Sequence, residues 1–190
     1  MASFTQLHAT DSIPASIHTE IAILGAMLQD AVAISDATAK LRMEDFSLDS
    51  HRRIYQAMLD LMGVNHAVDY LTVMDALSKK KELDSIGGPA YLAYLTEGIP
   101  RNLNIENYVR IVKDKSLLRQ LMGIFNDGVV RASDQSEEAT IVLSDIEARL
   151  AEVADSAIQR GFSGIGEIVA SSFGSIDKLY EQGREITGLA

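Results

Sequence analysis

The chain has no cysteine, no tryptophan and only three prolines among its 190 residues, and aromatic residues make up 6%. Without cysteine, disulfides, thiolate metal sites and cysteine nucleophiles are all excluded. With so few aromatics, any core must be built from Leu, Ile, Val, Met and Ala. Basic residues are the scarcer charge, 17 against 27 acidic ones, for a formal net charge of −10. Such a surface repels a phosphate backbone and suits a basic protein partner better. No apolar run approaches the ~20 residues that span a bilayer. The opening MASFTQLHATDSIPAS lacks the basic start and apolar stretch of a signal peptide. These absences point to a cytoplasmic protein with no membrane partner.

Chemical signatures are equally sparse. There is no G-x-x-x-x-G-K-[ST], no G-x-G-x-x-G and no H-E-x-x-H. The histidines, His8, His18, His51 and His66, do not pair at ligand spacing. His51-Arg52-Arg53 at a helix start would suit an anion, but they read more plainly as first-turn residues with solvated ends and packed stems. Lys79-Lys80-Lys81 reads as a solvated helix end, and Glu20 as a surface or interface salt bridge. No catalytic residue, cofactor site or metal site is expected within this chain.

What is present is helical periodicity. Residues 1–15 are polar and read as a mobile arm. Ser16 then offers an N-cap hydroxyl to a helix that places Ile17, Ile21, Leu24 and Leu28 on one face. A weaker helix is predicted from Val32 to Leu41. Asp49 caps a third helix, with Ile54, Met58, Leu61 and Met62 inward and Gly63 as its C-terminal cap. Asp69 caps a fourth, through Val73 and Leu77 to the lysines, whose charge favours a helix C-terminus. Gly87-Gly88-Pro89 breaks the chain and opens a short helix carrying Tyr91, Leu92 and Leu95.

The second half reads as two long helices. Tyr108, Ile111, Lys115, Leu118, Met122, Phe125 and Val129 alternate three and four apart, the seam of a helix packed nearly parallel to another. Leu117, Leu121 and Ile124 form a second stripe. Asp134 and Glu137 have capping-box spacing, and Leu143, Ile146, Leu150, Val153 and Ala157 repeat the seam. This is an αα-hairpin. A helix apolar on two faces needs a partner beyond its hairpin mate. Self-association is therefore expected through Tyr108, Ile111, Leu118, Leu121, Ile124, Leu143, Ile146, Leu150 and Val153.

The glycine-rich stretch Gly161 to Gly166 reads as a flexible link. Beyond it, Ile168, Val169, Phe173, Ile176 and Tyr180 lie on one face of a further helix that would dock on another domain or subunit. An isolated helix of that length is marginal in water, so mobility is expected there unless another chain covers it. Thr187-Gly188-Leu189-Ala190 reads as a cut end. The fold class is all-α, with an arm (1–15), a compact helical head (16–100), a hairpin (101–160) and a linker with its helix (161–190).

The residues alone leave open an acidic helical adaptor for a basic partner. An ordered set of short landmarks goes further. These are Ile13-Pro14, Glu20, Leu24-Gly25, Asp45-Phe46, His51-Arg52, Val68-Asp69, Leu83, Ile86-Gly87-Gly88, Tyr91-Leu92, Leu95, Pro100, Asn104, Tyr108, Ile111-Val112, Arg119 and Thr187-Gly188. In this order and spacing the chain resembles, over residues 13–190, the N-terminal part of DnaB-type replicative DNA helicases. The resemblance implies the collar of a hexameric ATP-driven ring on single-stranded DNA. Its collar domains pair through their hairpins, and primase docks on them through its C-terminal helical domain. A helicase loader is a further implied partner. ATP and Mg are implied for a RecA-like motor domain absent from this sequence. Carried over by position, primase contacts fall on Tyr91, Met122, Phe125, Gly128, Val129 and Val142. The family often has a larger apolar residue at position 128. Glycine costs ~1 kcal/mol inside a helix, so bending or fraying of the hairpin is expected there.

Overall fold

The computed structural model describes residues 13–100 and 103–161. All regular structure among them is helical, which bears out the all-α expectation. The elements are α1 (Ile17–Met27), α2 (Ala31–Lys40), α3 (Asp49–Gly63), α4 (Tyr70–Lys79), α5 (Gly88–Thr96), α6 (Glu106–Asp134) and α7 (Ala139–Gly161). Short 3-10 turns at Met43–Asp45 and Asp84–Ile86 precede α3 and α5. Helices α1 to α5 and the first turns of α6 enclose one aliphatic core, and α6 then continues outward to pair with α7. Residues 1–12 of the expected arm (1–15) and the linker segment with Ile168, Val169, Phe173, Ile176 and Tyr180 lie outside the described residues.

Helix α1 is the hub of the head, touching α2, α3, α5 and α6. The single apolar face expected for it is therefore wrong. Ile17 is exposed, whereas Ile23, Leu24, Gly25, Ala26 and Met27 are all buried. A helix surrounded by neighbours has no solvent face to reveal by period. Gly25 marks its tightest crossing. A Cβ there would stand 1.9 Å from the carbonyl oxygen of Leu95 on α5.

The helix ends follow their side chains with instructive exceptions. Asp69 accepts a bond from the Thr72 amide at 2.9 Å while Thr72 Oγ1 accepts one from the Asp69 amide at 3.0 Å, a reciprocal capping box. Ser16 precedes α1 as expected, but its hydroxyl meets Thr19 Oγ1 at 2.6 Å and caps no amide. Asp49 lies inside α3, not ahead of it, and pairs with Arg53 at 2.6 Å. The left-handed residue after α3 is Asn65 (φ 56°), not Gly63. The His66 amide donates to Leu61 O and the Asn65 amide to Met62 O, both at 2.9 Å. Lys81 (φ 60°) closes α4 in the same way. Both are Schellman ends.

Beneath α1 lies a buried polar network. Glu20 is 1% exposed and His51 0%, so neither is the surface group its sequence suggested. His51 Nδ1 donates to Glu20 Oε2 at 2.6 Å, and His51 Nε2 sits 2.7 Å from the Tyr91 hydroxyl on α5. The Ser47 amide donates to Glu20 Oε1 at 2.9 Å. Burial pushes the Glu20 carboxyl up, but the bonds from His51 and Ser47 outweigh it and hold the group below its ordinary 4.5. Around this centre, Arg52 donates from Nε to Phe46 O at 2.8 Å, and Tyr55 donates to Leu41 O at 2.9 Å. Burial, with the charge of Asp45 behind it, pushes the Tyr55 hydroxyl up to about 12.

Two outcomes follow. Gly25→Ala puts a methyl against a main-chain carbonyl that cannot turn aside, so the urea midpoint should fall by the equivalent of ~3 kcal/mol. Unchanged stability would mean that α1 and α5 are further apart. For Glu20→Gln, a loss of ~3 kcal/mol is expected at pH 7, because one partner of a buried pair is removed. The folded carboxyl sits below its unfolded value, so its contribution is complete above pH 4.5 and is lost as pH falls through the folded value. Between pH 6 and pH 3 the wild-type stability curve should therefore descend toward that of Glu20→Gln. Parallel curves would contradict the buried carboxylate.

Candidate functional site

A row of exposed large apolar residues lies on the hairpin. Ile105, just ahead of α6, and Val109 and Val112 on it enter the head core, and α6 leaves that core after Val112. Farther along, Ile124 and Val142 are buried outside the head core, so the hairpin has a small core of its own. Gly128 belongs to that core. A Cβ there would lie 2.6 Å from Ile146 Cδ1 on α7. Helix α6 runs unbroken through this glycine, so the helix does not fray there. The conformational cost of glycine is set against a close approach of the two helices.

The open end is tied by charge. Arg131 donates to Glu137 from Nε at 2.9 Å and from Nη2 at 2.6 Å, and to Asp145 from Nη1 at 2.6 Å. Arg149 Nη1 donates to Asp127 at 2.6 Å, back across the hairpin. The bond from Arg131 holds the Glu137 carboxyl below its ordinary range. Glu137 therefore closes the turn through Arg131 and is not the second half of a capping box with Asp134, which is still inside α6.

The three-four seam of α6 faces outward. Leu118, Met122, Phe125 and Val129 are exposed, Phe125 by 54% and Val129 by 64%, and Ile111 continues the stripe toward the head. The covered stripe is the other one, Leu117, Leu121 and Ile124, in which Ile124 is buried and the two leucines are half-buried. On α7, Ile146, Leu150 and Val153 are half-buried and Leu143 is exposed. Tyr108 packs, half-buried, against the head core.

Of the residues carried over as primase contacts, Met122, Phe125 and Val129 lie together on the exposed stripe. Gly128 and Val142 do not belong to that surface, because both are buried in the hairpin's own packing. Tyr91 is on α5 in the head, half-buried, with its hydroxyl on His51. Two apolar residues escaped sequence reasoning, Val130 and Ile141, both more than half exposed. Their signal was the adjacency of apolar residues in Val129-Val130 and Ile141-Val142-Leu143. A helix turns such neighbours to different faces, so Val142 is covered while Ile141 and Leu143 are left out, and neither Val129 nor Val130 is covered. Among the described residues no group of His, Asp and Glu is placed to hold a metal ion. No described helix is long and apolar enough to cross a membrane.

Known proteins share this arrangement. The replicative DNA helicase DnaB of Geobacillus stearothermophilus is 34% identical over 180 residues, covering 93% of this chain and 39% of the relative. The replicative DNA helicase DnaC of Bacillus subtilis (strain 168) is 33% identical over 180 residues, with the same coverage. The chain thus spans about two fifths of the length of these relatives. The crystal structure of the N-terminal domain of DnaB helicase from Mycobacterium tuberculosis superposes with a TM-score of 0.70 at 31% identity, covering 74% of this chain and 99% of that one. A DnaB-like replicative helicase, described with its interactions with primase, shares the fold at a TM-score of 0.60 and 20% identity, covering 85% of this chain and 35% of that one. The family model for the DnaB-like helicase N-terminal domain matches residues 12–114, the head and the first turns of α6. With the helical head, the hairpin and these matches in agreement, the chain belongs to the DnaB-like helicase N-terminal domain family.

Proposed function

We propose that this chain serves as the collar of a replicative helicase, pairing with copies of itself and docking the C-terminal helical domain of a primase. The observation that carries the reading is the outward stripe Leu118, Met122, Phe125 and Val129 on a hairpin whose core is already filled. Apolar residues left in one row on a closed hairpin lose free energy in water and gain it under a partner. The relative described with its interactions with primase supports primase as that partner. Family membership favours this reading over a free-standing adaptor.

On this reading ATP hydrolysis and magnesium belong to the portion of the helicase relatives that this chain does not span. Single-stranded DNA is engaged only through the complete ring, in keeping with the net charge of −10. A helicase loader and the docking of Ile168, Val169, Phe173, Ile176 and Tyr180 on a neighbouring motor domain complete the assignment.

Phe125→Asp tests it. Phe125 is 54% exposed, so helix content and unfolding midpoint should change little. A central aromatic anchor contributes ~2 kcal/mol or more to an interface. Calorimetric titration with the primase C-terminal domain should therefore show affinity weakened by about 30-fold. Unchanged affinity for primase and unchanged self-association would together remove the stripe from the interface.

A further inference from the structure

Two separate cores are strung on one helix. The last α6 residue in the head cluster is Val112, and the next fully covered apolar residue, Ile124, lies in the hairpin. Between them polar contacts tie α6 to the head. Lys113 Nζ lies 3.7 Å from Asp45 Oδ2. Arg119 holds two separate segments at once. Its Nη1 donates to Pro14 O at 2.8 Å, ahead of α1, and its Nη2 donates to Asp45 O at 2.5 Å, ahead of α3.

We infer that Arg119 is a positioning residue, the pivot that fixes the direction in which the hairpin leaves the head. Apolar contact is non-directional and lets a helix roll or tilt over its neighbours. A planar guanidinium forked onto two carbonyls constrains both angle and register. Helix α6 is continuous across this point, so the tilt of the whole hairpin is set where the fork grips. Among the described residues no carboxylate is bonded to the guanidinium. Burial holds the guanidinium below its usual range; the charges of Glu20 and Asp45 favour it there and that of Arg52 opposes it. The buried Glu20–His51–Tyr91 chain thereby reaches the hairpin root without touching it.

The lever is long enough to matter. From Arg119 to Ala132 is ~20 Å at 1.5 Å per residue, so a tilt of about 10° carries Ala132 by about 3 Å. The docking stripe moves with it. The inference concerns the direction of the hairpin and stands apart from what docks on it.

The absence of cysteine allows a direct test. Spin labels at Ser78→Cys on α4 and Ala132→Cys on α6, both exposed, report the angle between head and hairpin. The labelled full chain is diluted with unlabelled chain to suppress distances between copies. Arg119→Met should shift or broaden the distance distribution by about 3 Å or more, and Glu20→Gln should do the same to a smaller extent. Val73→Ala, in the head core away from α6, should lower stability and leave the distribution in place. Arg119→Lys keeps the charge but loses the fork, so it should broaden the distribution while the chain stays folded. Distributions for Arg119→Met and Arg119→Lys that superimpose on the wild type would overturn the assignment. So would equal broadening in Val73→Ala, which would reduce the effect to general loosening.

Discussion

Everything in the head is arranged around a carboxylate that has no access to water. Burying Glu20 costs several kcal/mol unless its lone pairs are met, and here they are met by His51 from α3 and by the amide of Ser47. His51 in turn meets Tyr91 from α5. Each partner comes from a different part of the chain, so sliding α1 against α3 or α5 leaves a buried charge without its donors. The aliphatic core alone would tolerate such a slide, because leucines and methionines repack. The network therefore contributes registry more than net stability, and Gly25 enforces the same alignment sterically by admitting Leu95 O to the flank of α1.

The consequence for function is mechanical. A head held in one register offers a fixed root for a helix that extends beyond it, and α6 extends far enough to carry a second, smaller core. That core is closed by small-residue contact at Gly128 and by the Arg131 and Arg149 ion pairs at its open end. Once closed, it has no further use for Leu118, Met122, Phe125 and Val129. An apolar stripe on a rigid support, on a chain with a net charge of −10, is the docking face we propose. The family match covers the head and the root of α6, whereas the stripe lies beyond residue 114. The recognisable part is the scaffold, and the proposed docking face is carried on it.

Much of this was legible in the sequence, and its limits have physical causes. Seven helices announced themselves through period and punctuation, with Asp69 and Gly87-Gly88-Pro89 as clear stops and starts. Period reveals which residues share a face but not which neighbour covers it. The seam residues from Leu118 to Val129 therefore read as facing the hairpin mate, whereas they face outward. The buried face carries Ser116 and Gly128, whose small or polar side chains weaken its signal. Glu20 and His51 read as surface groups because charged residues are seldom fully buried. Their burial depends on partners 31 and 40 residues apart in sequence, a pairing that no local pattern encodes. Glu20, Asp45-Phe46, His51-Arg52, Tyr91 and Arg119 were weak landmarks one by one, yet they converge on one network and its fork. After α3 the left-handed position falls to Asn65, two residues beyond the expected Gly63, and after α4 to Lys81, because hydrogen bonds to Leu61 O and Leu77 O hold those ends.

The most direct measurement is the solution mass of this chain by light scattering across micromolar concentrations, alone and with the primase C-terminal helical domain. The account predicts dimers or larger assemblies that add mass on mixing with primase. A monomer at every concentration whose mass is unchanged by primase would contradict the assignment of the hairpin stripe as a docking face.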